Sequence, residues 1–125
     1  MEITPVVPAG QRQLIESYRA GGFKIAGVRY QGSVLVLPEQ TLLWSVKELA
    51  EVTAASFDPI TQADPAVEIL LLGCGPKFAL PPATLRDELR GRGIVTEAMA
   101  TAAACRTYNV LLAEDRRVAA ALIAL

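Results

Sequence analysis

The chain has 125 residues, 52% of them hydrophobic, with 12 Lys+Arg against 13 Asp+Glu, two cysteines and no histidine. Such length and apolar content suit one folded domain, residues 1–125, and exclude disorder, while a net charge of −1 gives no general attraction to nucleic acid or to an anionic membrane. Without histidine, neither a Ser-His-Asp or Cys-His catalytic arrangement nor a His-ligated metal site can be built from these residues.

In chain order, the first half reads as β. Residues 13–19 precede a Gly21-Gly22 turn, and residues 23–30 carry apolar side chains at Phe23, Ile25 and Val28. Gln31-Gly32 marks a turn before residues 33–37, and Pro38-Glu39 separates those from residues 41–46. Short strands joined by tight turns predict antiparallel hairpins. Residues 47–57 have only a weak helical spacing through Leu49, Val52 and Phe57, and Pro59 and Pro65 limit any helix over 58–66.

The second half alternates. The apolar run 67–72, stopped by Gly73-Cys74-Gly75, predicts a buried strand. Pro81-Pro82 ahead of 83–90, with Gly91 and Gly93 beyond, predicts a helix with proline in its first turn. Residues 94–97 form a short strand, and Thr101 is placed to cap a helix running to Ala113, with Cys105, Tyr108, Leu111 and Leu112 on one face. The tail 118–125 is open: Ala and Leu favour helix, Val and Ile favour strand. Strand, helix, strand, helix predicts βαβ units and a mainly parallel sheet, and the high apolar content is accommodated if that sheet is covered on both faces.

The longest stretches free of Asp, Glu, Lys and Arg are nine residues, 3–11 and 30–38, against about 20 for a spanning helix. No membrane span is expected. The N-terminal residues show neither the basic and apolar regions of a signal peptide nor the character of a transit peptide. Cys74 and Cys105 stand 31 positions apart without a CxxC pair, so two reduced thiols in the cytoplasm are expected, with no thiol-rich metal site.

Two constellations are placed for chemistry. In Gly73-Cys74-Gly75-Pro76-Lys77, glycines at a strand end let backbone amides approach an anion, to which Lys77 adds charge. The competing reading is a tight turn whose glycines serve only positive φ angles. Cys74 has a neighbouring cation in Lys77 but no histidine base, so no catalytic residue is assigned. In Arg106, Tyr108 and Asn109, the mid-helix Asn implies a specific partner for its amide, and the Arg fork suits a carboxylate or phosphate. The competing reading pairs Arg106 with Glu97 or Glu114 and has Asn109 cap a neighbouring loop. The acidic doublets Asp87-Glu88 and Glu114-Asp115 point in different directions on a helix and form no paired-carboxylate site.

The pieces Leu70-Leu71-Leu72-Gly73-Cys74-Gly75, Gly93-Ile94, Glu97-Ala98-Met99, Cys105-Arg106-Thr107-Tyr108-Asn109-Val110-Leu111 and Glu114-Asp115-Arg116, with Tyr30-Gln31-Gly32-Ser33 upstream, resemble a family of small domains of largely unknown function. The family includes mitochondrial NADH dehydrogenase (complex I) assembly factor 3 and the adipogenesis-associated single-domain protein of animals, and has stand-alone bacterial members. The resemblance runs from about Gly21 almost to the C-terminus. It implies an α/β three-layer domain with a central mixed sheet, and places the tail as one of its strands. It implies no established reaction and no cofactor.

Three functions are weighed from these residues. The first is a non-enzymatic accessory or adaptor protein with an unidentified protein partner, acting in assembly of a membrane-associated complex. The second is a binder of, or enzyme on, a small anionic ligand in a cleft formed by Gly73, Cys74, Gly75, Lys77, Arg106, Tyr108 and Asn109. The third is a homo-oligomer formed through the edge of the N-terminal hairpins.

Overall fold

A computed structural model describes residues 12–125; the charge-free stretch 3–11 and the N-terminal residues read for a leader lie outside it. The strands are β1 (Ile15–Arg19), β2 (Gly22–Ile25), β3 (Val28–Gln31), β4 (Val34–Leu37) and β5 (Gln40–Leu43). Two 3-10 turns, Leu49–Glu51 and Ala54–Phe57, lead into a one-turn helix α1 (Asp58–Thr61). Then follow β6 (Ile69–Gly73), α2 (Ala83–Gly91), β7 (Val95–Met99), α3 (Thr101–Ala113) and β8 (Val118–Leu122).

Residues 23–30 are not one strand. The chain reverses at Ala26-Gly27, φ +49 and +82, as it does at Ala20-Gly21, φ +56 and +76. Consecutive positive φ angles give the two-residue turn whose twist matches a hairpin, and a glycine in the second position relieves half its steric cost. β1, β2 and β3 thereby form an antiparallel three-stranded sheet. After Gln31-Gly32 the chain leaves that sheet altogether, so β3 and β4 do not pair. Pro38-Glu39 does join a hairpin, β4 with β5, in register Leu37↔Gln40.

The central sheet is mixed, with strand order β5-β4-β8-β6-β7. β8 runs antiparallel to β4 and parallel to β6, and β7 runs parallel to β6 on its far side. The tail is therefore a central strand. Its five side chains, Val118 to Leu122, are all buried, and tertiary burial on two faces overrides the helix propensity of three consecutive alanines. From β6 the chain steps outward to β7 and then back past β6 to β8. Right-handed crossovers in opposite directions put α2 and α3 on opposite faces.

Alternation sorts the core accordingly. Leu35, Leu70, Leu72, Ala119 and Ala121 face α2 and the 3-10 turns, packing with Leu85, Leu89, Phe57 and Trp44. Val34, Val36, Leu71, Ala120 and Leu122 face α3 and the small sheet, packing with Tyr108, Cys105, Phe23 and Ile25. The result is a three-layer α/β arrangement with a central mixed sheet covered on both faces, which accounts for the apolar content. No helix among the described residues is long and apolar enough to cross a membrane.

Candidate functional site

At the end of β6, Gly73 packs where a side chain does not fit: a Cβ there would stand 2.9 Å from Thr101 Oγ1 and 3.0 Å from both Thr101 Cα and Leu122 Cδ2. The following turn is consumed by the fold. The Cys74 amide donates to Met99 O at 2.8 Å, and the Gly75 amide donates to Thr101 Oγ1 at 2.9 Å. The Thr101 hydroxyl donates in turn to Ile123 O at 2.8 Å, and the Thr101 amide donates to Gly75 O at 2.8 Å. Thr101 is the first residue of α3 rather than its cap, which is Ala100; its buried hydroxyl ties the ends of β6 and β8 together.

Gly75 itself has φ +102 with open space where a Cβ would stand. Its glycine requirement is therefore one of backbone conformation alone. Gly75→Ala should cost about 1–2 kcal/mol of stability, the left-handed penalty for an L-residue, with no added steric cost. Chemical denaturation would check this; a neutral substitution would contradict it. The Cys74 thiol donates to Ala79 O at 3.2 Å, and Lys77 is exposed.

The α3 residues are engaged elsewhere. Buried Tyr108 donates from its hydroxyl to Leu37 O at 3.1 Å, and burial raises its phenol above the ordinary 10.0, with the Arg12 charge opposing. Asn109 grips both backbone groups of Ile15: its Oδ1 accepts from the Ile15 amide and its Nδ2 donates to the Ile15 carbonyl, each at 2.9 Å. Exposed Arg106 donates to Tyr18 Oη at 3.2 Å, not to Glu97 or Glu114. One turn beyond Asn109, Arg12 donates to Leu112 O and pairs with Asp115. Residues three apart share a helix face, so Arg106, Asn109 and Leu112 form a seam along which residues 12–18 are laid.

Thr101 and Asn109 are eight residues apart, about 12 Å along the helix. The seven candidate residues thus fall into two groups, Gly73, Cys74, Gly75 and Lys77 beside the start of α3 and Arg106, Tyr108 and Asn109 further along it, with Tyr108 turned to Leu37 rather than to β1. Neither groove described below includes any of them. Tyr18 and Arg12 are not singled out by sequence, and Thr101 is singled out only as a helix cap. The available signal for the seam was the i, i+3 spacing of Arg106 and Asn109 on an otherwise apolar helix.

Two grooves open elsewhere. The larger, about 870 Å³, lies at the opposite end of the sheet among Pro38, Glu39, Pro65, Arg116 and Arg117. The smaller, about 370 Å³, runs between α3 and β7. Cys105 lies on the buried face of α3, its thiol pushed by burial from the ordinary 9.0 to about 12, against the opposing charge of Arg106. Above pH 9 the unfolded chain ionises this thiol while the folded chain keeps its proton. Stability must then fall as pH rises from 9 toward 12, at up to about 1 kcal/mol per pH unit. Denaturation of Cys105→Ala between pH 8 and about 10 should show a flatter decline than the parent; equal slopes would contradict the assignment.

A family profile described as protein of unknown function (DUF498/DUF598) matches residues 15–123. An uncharacterized protein of Rhodobacter capsulatus is 39% identical over 110 residues, covering 87% of this chain and 82% of that protein. NADH dehydrogenase (ubiquinone) 1 alpha subcomplex assembly factor 3 of Homo sapiens is 35% identical over 115 residues, covering 92% of this chain. The chain spans 62% of the human protein's length. A solved structure described as an outer membrane protein from Bartonella henselae superposes with a TM-score of 0.84 at 34% identity, covering 94% of this chain and 98% of that one.

Proposed function

The chain belongs to the DUF498/DUF598 family, and on that premise we propose that it is an accessory protein in the assembly of a respiratory NADH dehydrogenase. It does this as a cytoplasmic adaptor that binds a protein partner rather than nucleic acid. The observation that carries this reading is the 35% identity, over 92% of the chain, to a human protein named as an assembly factor of that enzyme. The use of the candidate residues supports it. The amides of Cys74 and Gly75 and the side chains of Tyr108 and Asn109 spend their hydrogen bonds on holding the sheet, α3 and β1 together. Residues so committed make a rigid body for docking, and the exposed cations Lys77 and Arg106 are the members of the set that reach a partner.

Affinity capture of the tagged chain from its own cells tests this. Subunits of the NADH dehydrogenase should be enriched with the parent, and recovered less with a Lys77→Glu/Arg106→Glu variant. Repeated capture without any of those subunits would overturn the reading.

A further inference from the structure

We propose that two copies of this chain associate, face to face, through the groove between α3 and β7. β7 is an edge strand, bonded only to β6, and α3 crosses the sheet above β6 and β8. One side of β7 is thereby left uncovered, and the groove of about 370 Å³ beside it is floored by Ile69 and Leu71 and walled by Met99 and Leu111. On the strand side the lining includes Val95, a large apolar side chain that is 56% exposed. The groove also has a polar rim of two opposite charges, exposed Glu97 on β7 and exposed Arg116 beyond the end of α3. Among the described residues neither takes part in an ion pair.

An apolar strip flanked by one unpaired acid and one unpaired base is self-complementary. A two-fold axis through the groove exchanges its two walls and brings each Glu97 to the Arg116 of the other copy, making the same ion pair twice. No other occupant is required to bring a matched pair of opposite charges in the reverse order. The same observations choose the geometry. Edge-to-edge pairing of β7 with its symmetry mate about the strand's middle residue would set two Glu97 carboxylates directly opposite, which is unfavourable. Packing through the faces separates the carboxylates and covers Val95, Leu111 and Met99. This interface lies away from the N-terminal hairpins and is independent of the assembly role.

The test is the mass of the purified chain in solution, by sedimentation or light scattering across a concentration series, with charge reversals at two exposed positions. The parent should be a dimer at high concentration. Glu97→Arg and Arg116→Glu each place like charges together twice and should weaken the dimer about tenfold or more. The double variant Glu97→Arg/Arg116→Glu restores opposite charges and should recover much of that loss. Circular dichroism establishes that each variant is folded. A parent that stays monomeric at its highest soluble concentration would overturn the proposal. So would a dimer indifferent to both single reversals.

Discussion

Thr101→Val should destabilise the fold by about 2–4 kcal/mol. The substitution keeps the shape of a side chain that is fully buried and removes only its hydroxyl. Two partners are then left in the interior: the amide of Gly75, which loses its acceptor, and the carbonyl of Ile123, which loses its donor. A buried polar group without a partner costs about 1–3 kcal/mol, and a valine offers no compensating burial. Thr101→Ser is the control, since it keeps both hydrogen bonds and sheds one methyl, at about 1 kcal/mol. Urea denaturation would show the midpoint of the valine variant well below that of the serine variant with the slope unchanged. Equal midpoints would mean that the hydroxyl does not fasten β6 to β8.

The second large effect is expected at Asn109. Asn109→Ala removes an acceptor and a donor from the two backbone groups of Ile15, a residue only 6% exposed. The cost should be about 2–3 kcal/mol by the same reasoning, and it should be local. β1 pairs with β2 on one side, and on the other it is held against α3 through the Asn109 amide. Its loss should accelerate amide hydrogen exchange across β1 and β2 while β6 and β8 keep their protection, because sub-global opening follows the weakest contacts. Unchanged exchange at β1, or a uniform rise throughout the chain, would show that Asn109 does not hold the small sheet to the helix.

These two residues also mark how far the amino-acid order could be read. The unfavourable position of an Asn inside an apolar helix announced a specific partner, and the partner exists. Its identity, the Ile15 backbone 94 positions earlier, depends on how the hairpin sheet docks, which local spacing does not encode. Thr101 was legible as a helix start because Thr is favoured at caps. Its actual use, between Gly75 and Ile123, required knowing that β6 and β8 are neighbours. The bounds of α3 follow from periodicity and the parallel pairs of the sheet from the alternation of strand and helix, whereas its mixed character is implied only by the family resemblance. The run 23–30 reads as continuous from its apolar positions Phe23, Ile25 and Val28, yet Gly27 inside it is a turn residue and the chain reverses there, with Ala26 at φ +49 and Gly27 at φ +82. The tail could be placed only by family resemblance, because Ala119, Ala120 and Ala121 prefer helix in isolation and become strand through burial on both faces.

The assembly role is tested most directly by deleting the gene in the source cells and resolving their membrane complexes on native gels. Loss of this chain should reduce mature NADH dehydrogenase and leave smaller subassemblies of it, with both restored by the parent gene. Full levels of the mature enzyme in the deletion strain, assembled at the normal rate, would contradict it.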